Sequence, residues 1–162
     1  MNKKRLICFA ILTALWTVFI FSMSLKPADA SSQISEGTLN ALLDTFSPVI
    51  ESVFGGLADE KINILHTLLR KAAHFTEFFI LGGIAFCFAN ELKIKLLRLK
   101  HIWLLPLMYG VFVAVTDEII QLFVDGRAGR IFDVIIDTSG VIAAIIVMKT
   151  ILTLLKRNNV RR

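Results

Sequence analysis

Marking each residue as apolar or polar divides the chain into four long apolar runs, at residues 6–25, about 72–89, 102 to about 124, and 133–155. Each approaches or exceeds the ~20 predominantly apolar residues that an α-helix needs to cross the hydrocarbon core of a bilayer. The pattern predicts an all-α, four-helix transmembrane bundle, read as a single domain over residues 1–162. The first and last runs are the cleanest. The middle two carry His74 and Glu77, then Asp117, Glu118 and Gln121, among apolar neighbours.

The stretch between the first two runs, residues 26–71, has a pattern of its own. Leu39, Leu42, Leu43, Phe46, Ile50, Val53 and Leu57 recur at spacings of three and four, which predicts amphipathic helical segments. Ser47-Pro48 interrupts them, Gly55-Gly56 marks a break, and a helix is expected to start near Asp59 and continue into the second run. Such a segment either packs over the spans or covers a site between them.

Composition agrees with a membrane protein. Of 162 residues 56% are hydrophobic, 13 are Phe, and mean hydropathy is +0.71, which excludes an ordinary soluble domain. Cys8 and Cys87 lie in apolar runs without the spacing of a metal or redox motif. The net charge of +5 does not point to nucleic acid, because the basic residues cluster beside the apolar runs. Lys3, Lys4 and Arg5, then Lys93, Lys95, Arg98 and Lys100, then Lys156, Arg157, Arg161 and Arg162 share one side only if there are four spans. Short cytoplasmic segments are enriched in Lys and Arg, so both termini are expected in the cytoplasm. Residues 26–71 and the turn between the last two spans then face outward. The N-terminus also resembles a signal peptide ending at Ala28-Asp29-Ala30, but its apolar run exceeds the ~7–15 residues of that class and is read as the first span.

Charge collects at one depth in that topology. The stretch "TDEIIQLFVDGRAGRIFDVIID", residues 116–137, holds four Asp, one Glu, one Gln and two Arg. Helical spacing aligns Arg70, His74 and Glu77 on one stripe with Lys71 adjoining, pairs Asp117 and Glu118 with Gln121, and sets Asp133 and Asp137 above Gly140 and Ala144, small residues that would let another helix approach closely. A charged residue at the centre of a lone span costs about 2.5–3.5 kcal/mol, so such groups face the bundle interior or water. The three stripes are expected to share one cavity in which each charge meets a partner.

That cavity has two readings. In the first, Glu77, Asp117, Glu118, Asp133 and Asp137 are balanced by Arg70, Lys71, Arg127 and Arg130, and the network only sets helix register. In the second, the acids and His74 bind a divalent metal or divide into general acid and base, and Arg127 and Arg130, beside Gly126 and Gly129, grip a phosphate-like headgroup. Oxygen-rich ligands would suit Mg²⁺ or Ca²⁺. The order His74-Phe75-Thr76-Glu77 is not the H-E-x-x-H of metalloproteases. Transport is disfavoured, because no ionisable path continues to the other side. His66 and His101 read as solvent-facing or interfacial residues, and Trp16, Trp103 and Tyr109 as span or interface aromatics.

The segments "FSMSLKPADASS", "RKAAHFTEFFILGG" and "TDEIIQLFVDGRAGRIFDVIIDTSG" resemble the VanZ-like family of small bacterial membrane proteins. The resemblance rests on K-x-x-H-x-x-E, D-E-x-x-Q, a turn with Arg, and D-x-x-x-[ND]-x-x-G, here Lys71, His74, Glu77, Asp117, Glu118, Gln121, Arg127, Asp133, Asp137 and Gly140. Family members often carry Asn where this chain has Asp137. The resemblance implies an association with resistance to teicoplanin-type lipoglycopeptides, and it supplies neither a reaction nor a cofactor.

The function expected is a cell-envelope protein of the bacterial cytoplasmic membrane that binds, or also modifies, a lipid-linked or amphiphilic ligand. Candidate partners are membrane lipids, a lipid-linked cell-wall precursor or a lipoglycopeptide. Glu118 and Asp117 form the polar core, His74 and Glu77 handle protons, and Lys71, Gln121, Arg127, Arg130, Asp133 and Asp137 contact the ligand. The alternative is a non-catalytic membrane module.

Overall fold

The computed structural model describes residues 3–33, 36–38, 41, 45, 59–93 and 101–160. Every long element among them is helical: α1 (Lys3–Ser24), α2 (Asp59–Lys93), α3 (Leu104–Gln121) and α4 (Ile131–Val160). Each contains a stretch long and apolar enough to span a membrane. The basic residues Lys95, Arg98, Lys100, Arg161 and Arg162, the Ser47-Pro48 and Gly55-Gly56 breaks, and Leu39, Leu42, Leu43, Phe46, Ile50, Val53 and Leu57 lie outside the described residues.

One helix start matches the sequence reading and one helix end differs from it. Helix α2 starts at Asp59, as its break signal suggested, so its 35 residues extend about 52 Å and overrun a bilayer core of about 30 Å. Helix α3 stops at Gln121 rather than near residue 124. Pro106 falls in its first turn, where a missing backbone donor breaks no helical bond.

Helix α2 is the hub, packing against α1, α3 and, most extensively, α4. The core is a narrow seam of Ile20, Phe78, Leu81, Phe86, Val113, Ala114, Val141 and Ile145. Much of the remaining apolar surface points outward, including Leu15, Val18, Phe112, Met108, Ile119 and Ile146. An apolar exterior of this extent is what lipid, not water, would solvate.

With no hydrophobic drive between helices in lipid, close approach and interhelical hydrogen bonds decide how they pack. Gly140 supplies the closest approach: a Cβ there would sit 2.4 Å from the Phe75 carbonyl oxygen of α2. Ala144, on the same face of α4, packs beside Gly82. The expectation that Gly140 and Ala144 admit a neighbouring helix is thus met, and the neighbour is α2.

Polar links tie α1 to the others. Trp16 Nε1–H donates to the Glu77 carbonyl at 2.9 Å, and the Thr17 and Tyr109 hydroxyls lie 2.8 Å apart. Such links contribute about 0.6 kcal/mol each on average. Trp16 and Tyr109 are therefore ties between helices as well as span aromatics. Cys8 is exposed and Cys87 half-buried, and both are free thiols. At the far end Lys149 Nζ lies 4.8 Å from the Trp103 ring centroid.

Candidate functional site

The polar end is built where α1 and α3 finish, α4 begins and α2 passes alongside. Asp117, fully buried, is held from two helices: its Oδ1 accepts from Ser24 Oγ of α1 at 2.5 Å, and its Oδ2 from Gln121 Nε2, one turn later on α3, at 2.9 Å. Both carboxylate oxygens are satisfied by neutral donors, which fixes the side chain without adding charge.

The turn after α3 follows from its sequence. Phe123 and Val124 N–H bond to the carbonyls of Ile120 and Gln121 three residues back, tightening the helix end. Arg127 N–H then bonds the Val124 carbonyl at 3.1 Å across Asp125-Gly126, and Gly126 adopts φ 73°, a left-handed conformation natural to glycine. Ala28 N–H donates to the Asp125 carbonyl, pinning the stretch after α1 onto this turn. Gly129 passes so close over α3 that a Cβ would lie 2.8 Å from the Glu118 carbonyl oxygen. That approach brings Arg130 N–H within 2.6 Å of Glu118 Oε2. Asp133 then falls in the first turn of α4, favourable for the helix dipole, with Lys71 Nζ of α2 at 3.3 Å.

The charge balance differs from the expectation that each charge meets a partner. Among the described residues, Lys71–Asp133 is the one pair of a Lys or Arg with a carboxylate within 4.0 Å. Arg127 Nη2 donates to the Met23 carbonyl at 3.4 Å, and Arg130 reaches Glu118 through its backbone. Asp137 is fully buried, neither of its oxygens has a hydrogen-bond partner among the described residues, and His74 Nδ1 stands 3.7 Å away. Glu118 Oε1 and His74 Nδ1 are likewise buried without hydrogen-bond partners among the described residues. Depth supplies the reason, since Asp137 lies one turn, about 6 Å, further into the bundle than Asp133, below the arginines of the turn.

A cavity of about 100 Å³ opens beside this cluster, lined by Arg70, His74, Gln121, Arg127, Arg130 and Asp133 together with small residues of the turn. A second of about 90 Å³ shares Ser31, Arg70, His74 and Arg127 with it and adds Ser24 and Glu77. Lys71 meets the first through Asp133, while Asp117, Glu118 and Asp137 are buried residues of the surrounding helices. Burial, then the nearby Arg70, push the Arg127 guanidinium below its ordinary pKa, though an arginine stays charged at neutral pH. Arg70, which is exposed, and Arg127, which is half-buried, thus line one cleft together. A larger cavity of about 360 Å³ between α1, α2 and α3 is lined mainly by apolar residues such as Ala14, Phe88 and Leu105, with no charged group among the described lining residues.

The sequence matches the family described as VanZ/LLP1 over residues 9–154, from within α1 to within α4. The chain belongs to the VanZ/LLP1 family. No curated protein and no solved structure matches it. With its four candidate spans, this VanZ/LLP1 protein is a multi-pass bacterial membrane protein.

Three parts of the polar end in this VanZ/LLP1 chain were not assigned from sequence. Ser24 holds Asp117, the Met23 carbonyl holds Arg127, and Ser31 lines both cavities. A hydroxyl at the end of an otherwise apolar run was the available signal for Ser24. A main-chain acceptor such as Met23 leaves no trace in side-chain chemistry.

Proposed function

We propose that this protein binds the anionic headgroup of a lipid-linked or amphiphilic ligand at its polar end, as one domain with both termini cytoplasmic and that end at the outer leaflet. The observation that carries the reading is the cavity lined by Arg70, Arg127 and Arg130, in which Arg127 is half-buried and its guanidinium, among the described residues, hydrogen-bonds only a main-chain carbonyl. Beside it Phe123, Ile131 and Phe132 are 85%, 82% and 74% exposed, an apolar rim suited to the hydrocarbon part of the same ligand. Guanidinium groups grip phosphate or carboxylate by paired hydrogen bonds, and a low-dielectric surround strengthens them. Lys71, Asp133 and Gln121 would orient the headgroup. Asp117, Glu118, His74 and Glu77 behind it would supply proton transfer if the ligand is modified.

Membership in the VanZ/LLP1 family supports carrying over the association with teicoplanin-type resistance. A teicoplanin-sensitive Gram-positive host expressing the chain is expected to need a severalfold higher teicoplanin concentration for growth arrest than the empty-vector strain. In a variant lacking Cys8 and Cys87, Arg127→Cys should react with a membrane-impermeant thiol reagent in intact cells. No protection would remove the antibiotic association, and labelling only after the membrane is breached would reverse the orientation.

A further inference from the structure

We infer that His74, Asp117 and Asp137 form a binding site for a divalent first-row transition-metal ion of the Zn²⁺ or Mn²⁺ kind. The three residues come from α2, α3 and α4, and one ligand atom from each lies within 4.8 Å of the others. His74 Nδ1 and Asp137 Oδ1 are 3.7 Å apart, too far for a hydrogen bond. That gap is close to the ~3.4 Å between neighbouring ligands in a tetrahedral zinc site with bonds of about 2.1 Å.

Asp137 separates this from a chance gathering of acids. It is 0% exposed, both its oxygens lack a donor among the described residues, and it is directed at His74, whose Nδ1 is also without a partner. Among the described residues no Lys or Arg comes within 4.0 Å of Asp117 or Asp137. Two buried carboxylates so placed repel one another, and a divalent cation with a neutral imidazole brings the group to zero net charge.

The surroundings match a metal site in two further respects. Ser24 and Gln121 hydrogen-bond the Asp117 carboxylate, the outer-shell support that ligating carboxylates receive, and each oxygen keeps a lone pair for the ion. His74 lines both small cavities, which give an entry path and room for a water at the open position. An imidazole among the ligands moves the preference from Mg²⁺ or Ca²⁺, which take six or more oxygens, toward Zn²⁺ or Mn²⁺.

The site goes beyond the headgroup reading and does not depend on it. Its test is metal content, measured on detergent-purified full chain carrying a histidine-free tag, equilibrated separately with Zn²⁺ and Mn²⁺ and gel-filtered before elemental analysis. Wild type is expected to retain about one ion per chain. Asp137→Asn and His74→Gln should each lower occupancy at least tenfold at the same elution volume, whereas Asp133→Asn, one turn away, retains it. Visible bands of the Co²⁺-loaded protein should disappear in His74→Gln. Absence of bound metal from wild type with both ions, undiminished binding in both ligand variants, or an equal loss in Asp133→Asn would overturn the assignment. Wild type that holds neither metal yet still binds an anionic amphiphile would refute the metal site and leave the headgroup reading standing.

Discussion

Gly140→Leu is expected to remove most of the folded protein from the membrane. Even the first added carbon would lie 2.4 Å from the Phe75 carbonyl oxygen and 3.1 Å from the Phe79 nitrogen, both main-chain atoms of α2. A flexible side chain could yield; a helix backbone must move as a body. Overpacking usually costs about 1–3 kcal/mol, and a clash with a rigid neighbour belongs at or above the top of that range. A loss of this size lowers abundance severalfold, because stability margins are small. Separation of α2 from α4 would also part His74 from Asp137 and Lys71 from Asp133. Gly83→Leu is the control, since nothing lies within 4 Å of a Cβ at that position. Immunoblots of membrane fractions and thermal denaturation in detergent would check the contrast. Equal abundance and midpoint for the two variants would mean that the α2–α4 contact does not hold the bundle together.

Glu118→Gln is expected to act oppositely, leaving abundance near wild type and reducing teicoplanin protection to the empty-vector level. Glu118 Oε2 accepts the Arg130 N–H at 2.6 Å and Oε1 is buried without a partner among the described residues. The amide keeps an acceptor for Arg130 and puts a neutral group at the unpartnered oxygen, so the turn should keep its shape to within about 1 kcal/mol. What disappears is a negative charge and a proton acceptor beside the arginine-lined cavity. If the acids only set helix register, the order reverses: removing one charge from a buried network destabilises the bundle, abundance falls, and residual protection tracks the amount of protein. Susceptibility assays at matched membrane levels separate the two.

Much of this architecture was legible in the sequence. Four apolar runs predicted four spans, the Gly55-Gly56 break placed the start of α2 near Asp59, and the spacing of Gly140 and Ala144 anticipated a close helix neighbour. The gathering of His74, Asp117, Asp133 and Asp137 at one end followed from span direction alone. Side-chain partners were less legible, because they depend on how each helix is rotated about its axis. Helix α1 is apolar nearly all round, so no stripe encodes its rotation. The tie from Ser24 to Asp117 and the tie from Trp16 to the Glu77 carbonyl both depend on the rotation of α1. Counting charges suggested that Arg127 and Arg130 balance the acids, but the path set by Gly126 and Gly129 sends one guanidinium to a carbonyl and brings the other residue's N–H to Glu118.

The arginine-lined cavity as an anion receptor is the central claim, and lipid retention tests it most directly. Native mass spectrometry of the detergent-purified protein, offered equal amounts of phosphatidylglycerol and phosphatidylcholine, would compare wild type with Arg127→Gln/Arg130→Gln. The account predicts that wild type retains the anionic lipid preferentially and that the double variant loses this preference at unchanged thermal stability. Equal retention of both lipids by wild type, or an undiminished preference in the double variant, would contradict it.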